Sequence, residues 1–143
     1  MIGIKTFTYT FAVPYFLPLL LAVPQAQAQS SAEVAFEPGN YGTMLSGTLT
    51  GDAYMDYYLG ASGGQELFVD LSVSSTDGTG SVYLNVLPPG STGEAIYVGS
   101  MDEDSSETVP LPEDGTYTIR VYLMGNDRDA GKTVGYNLDV SIQ

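Results

Sequence analysis

The side chains that most often carry out catalysis are missing from this sequence. It contains no histidine and no cysteine, so it lacks the usual general base for serine or cysteine nucleophiles and the commonest zinc ligand. Neither a G-x-S-x-G elbow nor a phosphate-binding glycine loop is present. Paired carboxylates can hydrolyse glycosides, but among 17 acidic residues some pairs lie close by chance. These residue types predict a protein that binds a partner and is not an enzyme.

Two short acidic segments are the candidates for holding a cation. Asp102–Asp104 and Asp127–Asp129 bring carboxylates into expected loops, and calcium prefers six to eight oxygen ligands. Neither segment has the ligand spacing of an EF-hand, and acidic loops are commonly only solvated. We therefore expect no cofactor, with a structural calcium ion as the alternative.

Three tyrosines crowd one short segment, at positions 54, 57 and 58. Tyrosine is a favoured contact residue because it combines a large rigid surface with a polar tip. Ordinary packing is the alternative, since one of Tyr57 and Tyr58 must point inward on any strand. Tyr54 is expected to be exposed because it lies near the turn that begins at Gly51.

The charge of the chain is strongly negative. It has 17 acids and four bases, and Lys5 lies in a segment that we expect to be removed. Three remaining bases minus 17 acids give −14 for residues 29–143. Nucleic acid and anionic membranes are poor partners for such a chain, because binding them requires clustered lysine and arginine. A cationic protein partner is favoured, and a purely solubilising role for the acids is the alternative.

The first 28 residues have the pattern of a signal peptide. Lys5 precedes an apolar run of 13 residues, 11–23, and Ala26-Gln27-Ala28 forms an A-x-A cleavage site. The run is too short to span a bilayer, which needs about 20 residues. Without a cysteine, a lipoprotein anchor is excluded. We predict cleavage before Gln29, a periplasmic or secreted location, and a single domain over residues 29–143.

Short runs of alternating apolar and polar residues, separated by Gly, Pro, Asp or Ser, fill the rest of the chain, and no helix is expected. A period of two is typical of half-buried strands. The clearest runs are Leu67–Val73, Val82–Val86, Tyr117–Leu123 and Tyr136–Ile142; weaker ones are Val34–Phe36, Thr43–Leu49, Asp56–Leu59, Ala95–Val98 and Thr108–Leu111. Pro110 restricts the last of these to a sheet edge or an irregular segment. The pattern predicts an all-β protein, an antiparallel sandwich of seven to eight strands, with an up-and-down barrel as the alternative.

Several of these segments carry a family resemblance. Ser46–Gly51, the Tyr/Asp cluster, Gly64-Gln65 and Gly115–Val121 occur in an order that resembles the bacterial pre-peptidase C-terminal domain, a β-sandwich. A more specific spacing is similar to the periplasmic inhibitors of g-type (goose-type) lysozyme, which are not enzymes. It consists of Arg120-Val121, Asn126-Asp127, Lys132-Thr133 and Tyr136–Val140. The resemblance extends from about Met44 to Gln143, which is most of the predicted domain.

The resemblance to the lysozyme inhibitors implies a mechanism. In that family, two loops at one end of the sandwich enter the substrate cleft of the lysozyme and cover its catalytic carboxylate. The corresponding loops here are Gly51–Asp56 and Gly125–Gly131. The implied partner is a cationic lysozyme, and the implied contact residues are Asp52, Tyr54, Asp56, Asn126, Asp127, Arg128, Asp129 and Lys132. The alternative function is a pre-peptidase C-terminal-like module that binds glycan or another cell-envelope component.

This chain departs from the lysozyme inhibitors in the charge of its second loop. The family commonly has arginines at the positions held here by Gly125 and Asp129, and this chain keeps Arg128 and Lys132. Asp52 stands where a tyrosine is often found. The departure implies weaker inhibition or a changed ligand.

Overall fold

A computed structural model describes residues 29–143 without a break, together with the isolated positions 3, 10, 12, 14 and 18. The predicted signal peptide, residues 1–28, otherwise lies outside the described residues. The elements are β1 (Gln29–Glu33), β2 (Gly42–Thr50), β3 (Tyr54–Ala61), β4 (Glu66–Thr76), β5 (Val82–Leu87), β6 (Tyr97–Val98), a 3-10 turn (Gly99–Met101), β7 (Ser106–Pro110), β8 (Gly115–Leu123), α1 (Gly125–Asp129) and β9 (Thr133–Ile142).

The strands of this described part form two sheets. One has five strands in the order β1-β3-β8-β5-β6, and the other has four in the order β2-β9-β4-β7. Every pairing is antiparallel except that of β1 with β3. Two separate sheets confirm the predicted sandwich, not the single closed sheet that was its alternative. Nine strands replace the expected seven to eight.

The core lies between the sheets and follows the alternation in the sequence. In β8, Tyr117, Ile119 and Val121 are fully buried, and the intervening residues face outward. The inward residues of β9 and β4 complete the core from the opposite sheet. Period-two patterning therefore gave the correct buried face for the longest strands, because burying one face of a strand fixes which side chains turn inward.

Two of the shorter strand predictions were displaced. The first strand was expected at Val34–Phe36, but the structure places it at Gln29–Glu33, where it pairs parallel with β3 at the edge of the five-stranded sheet. Its sequence, QSSAE, is mostly exposed and shows no alternation. Val34 and Phe36 pack against the core from the irregular segment that follows. Of the expected strand Ala95–Val98, only Tyr97–Val98 pairs.

The expectation that the domain has no helix was wrong at one place. Residues Gly125–Asp129 form α1, a single helical turn between β8 and β9. Its sequence, GNDRD, has low intrinsic helix propensity, so tertiary contacts must hold it. In the part of the chain that the structure describes, no helix has the length and apolarity needed to cross a membrane.

Tyr57 points into the core and Tyr58 points outward, so the two neighbours have different roles. The hydroxyl of Tyr57 lies 2.7 Å from that of Tyr136 on the opposite sheet. Burial and this hydrogen bond raise the pKa of Tyr136. Gly47 is paired opposite Tyr136, and a Cβ there would collide with the Tyr136 ring and hydroxyl. Tyr57 is therefore a packing residue, as the alternative for the tyrosine cluster proposed.

Candidate functional site

Three connections meet at one end of the sandwich, which we call the loop end. They are the β2–β3 turn (residues 51–53), the β4–β5 loop (77–81) and the β8–β9 connection (124–132), which contains α1. The amide of Gly51 donates to the carbonyl of Lys132 at 2.9 Å. The amide of Thr133 donates to Oδ1 of Asp77 at 2.8 Å. These bonds join the three connections into one surface.

Asp127 fastens α1 to the β4–β5 loop. Its Oδ1 accepts from the amide of Thr79 at 2.9 Å, and its Oδ2 accepts from the amides of Gly80 and Ser81, each at 2.7 Å. The side chain is fully buried, and these backbone hydrogen bonds hold the pKa of Asp127 below its usual range. Gly78 lies so close that a Cβ would collide with the carboxylate. The Asp127 side chain is thus an internal clamp that is not exposed to solvent.

The exposed part of the loop end is a shallow depression of about 600 Å³. Asp52, Arg128 and Asp129 line it together with two glycines. Nε of Arg128 lies 3.0 Å from Oδ1 of Asp129, and the two side chains are 48% and 67% exposed. Asn126 is exposed beside them, and Lys132 is half-buried. The depression therefore presents one forked cation and two carboxylates to solvent.

Tyr54 and Asp56 lie outside the loop end. The family resemblance placed them in the loop Gly51–Asp56, but β3 begins at Tyr54 and both side chains belong to the outer face of the five-stranded sheet. Asp56 is 2% exposed and receives two hydrogen bonds from Arg120, from Nε at 2.8 Å and from Nη2 at 2.9 Å. The hydrogen bond to Asp56 raises the pKa of Arg120. The guanidinium lies 4.6 Å from the centre of the Tyr54 ring.

Sequence reasoning missed the other members of that face. Tyr122 pairs with Tyr54 on one side and with Tyr83 on the other, and the Tyr83 and Tyr122 rings are 6.4 Å apart. The hydroxyl of Tyr122 donates to Oδ1 of Asn85 at 2.7 Å. The alternation in β8 did place Arg120 and Tyr122 opposite the core, and this could have identified the face. Their neighbours depend on strand order, which the sequence does not reveal.

Within residues 29–143, no group of three or more acidic side chains is arranged to hold a metal ion. In the first acidic segment, Asp102 is engaged locally: it accepts from the hydroxyl of Tyr97 at 3.2 Å and from the amide of Asp104 at 3.2 Å. Burial of Tyr97 and, to a smaller extent, its hydrogen bond to Asp102 raise the pKa of Tyr97 to about 12. In the second segment, Asp127 is used by the clamp.

Known proteins with similar sequences and structures agree on one family. The chain is 32% identical over 127 residues to the inhibitor of g-type lysozyme of Escherichia coli K12, covering 87% of this chain and 90% of that protein. No protein-family model matches it. Among solved structures, it is similar to the Aeromonas hydrophila PliG, described as a periplasmic lysozyme inhibitor of g-type lysozyme. That match has a TM-score of 0.73 and 32% identity, and covers 82% of this chain and all of the other.

A more distant structure shows the wider fold. The pre-peptidase C-terminal domain of a Bacillus anthracis collagenase matches with a TM-score of 0.51 at 13% identity, covering 83% of this chain and 98% of that one. Both resemblances read from the sequence are confirmed, the generic one at the level of the fold and the specific one at the level of the family. The chain belongs to the family of inhibitors of g-type lysozyme.

Proposed function

We propose that this protein is a periplasmic, non-catalytic inhibitor that binds a g-type lysozyme and closes its substrate cleft with the loop end. The observation that carries the proposal is its relationship, at 32% identity over most of both chains, to a protein named as an inhibitor of g-type lysozyme. The relatives of known structure are described as periplasmic, which agrees with the location that the A-x-A site predicts.

The construction of the loop end supports this role. The β8–β9 connection joins two long strands that lie inside their sheets. Asp127 fixes α1 within this connection through three backbone amides. A surface that is already ordered loses little conformational freedom when it binds. The loop end is therefore suited to meet a cleft as a preformed, rigid surface on which Asp52, Asn126, Arg128 and Asp129 are exposed.

Arg128 is the group best able to match the acids of a lysozyme cleft. A guanidinium offers a planar fork of donors that fits a carboxylate. Its present partner is the neighbouring Asp129, and both side chains are largely exposed. An exposed pair of this kind contributes only about 0–1 kcal/mol, so exchanging Asp129 for a carboxylate of the enzyme costs little. Inhibition then follows because the bound loop end excludes the substrate.

The charge of the whole chain fits a cationic enzyme as the partner. At −14 over residues 29–143, it would attract a positively charged protein at long range and accelerate association at low salt. The same charge argues against nucleic acid as a partner. The alternative function, a module that binds only glycan or another cell-envelope component, would leave a lysozyme uninhibited.

A lysis assay tests the proposed function. Titrating the exported protein into g-type, c-type and i-type lysozymes acting on bacterial cell walls should inhibit the g-type enzyme at stoichiometric to low excess concentrations. The c-type and i-type enzymes serve as controls for nonspecific capture by an acidic protein, and raising the ionic strength should slow association with the g-type enzyme. Equal inhibition of all three classes, or none of any, would contradict the proposal.

Export should produce a chain that begins at Gln29. Cleavage after Ala28 keeps β1 whole, since β1 starts at Gln29 and pairs with β3 in the register Gln29 to Tyr54. The side-chain amide of Gln29 also donates to Asp56 at 3.3 Å. N-terminal sequencing of the exported protein should read Gln-Ser-Ser-Ala-Glu. A start beyond Glu33 would remove β1 and show that the cleavage site has been misassigned.

A further inference from the structure

A groove of about 300 Å³ crosses the outer face of the five-stranded sheet and shares no lining residue with the depression at the loop end. We call it the tyrosine groove, and its main lining residues are Tyr54, Tyr58, Ser91, Thr92, Thr118 and Arg120. Tyr54 and Tyr58 stand on β3, Thr118 and Arg120 on β8, and the two hydroxyl residues on the β5–β6 connection. It is thus a concave site built mainly on strands, which position side chains more rigidly than loops do.

Aromatic rings continue beyond one end of the groove. Tyr54, Tyr122 and Tyr83 are register partners on three adjacent strands, so their rings form a row across the sheet. With Tyr58, four tyrosines occupy this one outward face, and all four are partly exposed. Packing of the core does not explain these four tyrosines, because the core lies on the other side of the sheet and an outer face is normally polar. Rings gathered on a partly exposed face supply flat apolar surface with hydrogen-bonding hydroxyls at its edge.

At the floor of the groove, Arg120 and Asp56 form an ion pair whose opposite charges cancel. Two hydrogen bonds fix the Arg120 guanidinium to Asp56. The remaining nitrogen, Nη1, makes a long and weak contact of 3.4 Å with the carbonyl of Thr92. The groove lining contains no other charged side chain, although cleavage before Gln29 would add the α-amino group of the new N-terminus to it. Arg120 therefore keeps donor capacity toward the groove without offering a net charge. Because the domain carries −14, an anionic ligand would be repelled.

We propose that the tyrosine groove binds a neutral polysaccharide of pyranose rings, a function beyond lysozyme inhibition. The C–H faces of a pyranose are apolar and flat, and they fit against tyrosine rings. Its neighbouring hydroxyls fit the donors of Arg120 and the side-chain hydroxyls of Thr92 and Thr118. A few fixed polar groups among aromatic side chains are typical of small-molecule sites. The exported protein would then hold a wall glycan with its sheet while the loop end stays free for an enzyme.

Titration of the exported protein with cellohexaose and chitohexaose, both neutral, and with hexagalacturonate, which is anionic, tests this. NMR chemical shifts and calorimetry should show saturable binding of at least one neutral hexasaccharide, with shifts concentrated at Tyr58, Thr92 and Thr118, and no binding of the anionic one. Tyr58→Ala should weaken binding roughly tenfold, about the contribution of one stacked ring. The matched control is Tyr41→Ala, which removes a tyrosine that is 73% exposed and outside the groove.

Thr118→Trp provides a second variant, because it fills the groove while keeping a residue suited to a strand. It should abolish sugar binding and leave inhibition of the g-type lysozyme unchanged. Arg128→Ala should have the opposite pattern, which separates failure of this proposal from failure of the inhibitor function. The proposal is overturned if neither neutral sugar binds, or if Tyr58→Ala and Tyr41→Ala behave alike. It is also overturned if Tyr58→Ala weakens lysozyme inhibition and sugar does not bind, since the groove would then belong to the protein interface.

Discussion

Arg128→Ala is expected to weaken inhibition of a g-type lysozyme by roughly 30-fold. Truncating one partner of a buried charge pair in an interface costs about 2 kcal/mol or more, and each 1.4 kcal/mol is tenfold in affinity. Arg128 is the only arginine at the loop end, and its side chain is 48% exposed. Inhibition constants from the lysis assay measure the effect. The melting temperature should hardly change, because the side chain contributes little to the core.

Two comparisons isolate the role of the guanidinium. Gln143→Glu lowers the net charge by the same one unit at the opposite end of the sandwich, so it controls for long-range electrostatics and should leave inhibition nearly unchanged. Asp129→Arg removes the present partner of Arg128 and restores a charge that the family resemblance implies at that position. It should tighten inhibition. If Arg128→Ala and Gln143→Glu inhibit equally well, Arg128 makes no buried contact and the loop end is not the interface.

The sequence predicted those strands in which alternating apolar and polar residues mark the buried face. Leu67–Val73 and Tyr117–Leu123 alternate because one side of each strand meets the core, and the structure buries the predicted apolar residues except Val73, which is 44% exposed. β1 carries no such pattern. It pairs through its backbone with β3, and its side chains are mostly exposed, so nothing in the pentapeptide itself distinguishes it from a loop.

The candidate site was harder to predict because two of its acids are defined by distant partners. In the sequence, Asp127 resembles an exposed loop acid, but its carboxylate accepts hydrogen bonds from backbone amides 46–48 residues earlier in the chain. Asp56 looks like a residue of the first loop, but it is neutralised by Arg120, 64 residues later. Both contacts depend on strand order and register. The exposed members, Asp52, Arg128 and Asp129, lie together at one end of the sandwich, as the family resemblance implied, and their contact with a partner stays a prediction.

The same long-range contact leads to the largest expected effect on stability. Asp127→Asn replaces one of two acceptor oxygens by an NH₂ group, which leaves backbone amides of the β4–β5 loop without an acceptor in a fully buried site. A buried donor without a partner is strongly destabilising. We expect the melting temperature to fall on the order of 10 °C. Loosening of α1 should also weaken lysozyme inhibition, although the Asp127 side chain itself is buried.

The pH dependence of stability distinguishes this clamp from a simple packing defect. The pKa of Asp127 is lowered in the folded protein by its backbone hydrogen bonds. Asp127 therefore contributes fully to the free energy of unfolding above its unfolded pKa of about 4, and this contribution is lost as the pH falls through the lower folded pKa. Melting curves from pH 6 to pH 2 should show a smaller acid-induced decrease for Asp127→Asn than for the natural protein. Asp129→Asn, the same exchange two residues later on an exposed side chain, should follow the natural protein closely. Matching curves for the two variants would mean that the Asp127 carboxylate does not hold α1, and that the rigidity of the loop end has another origin.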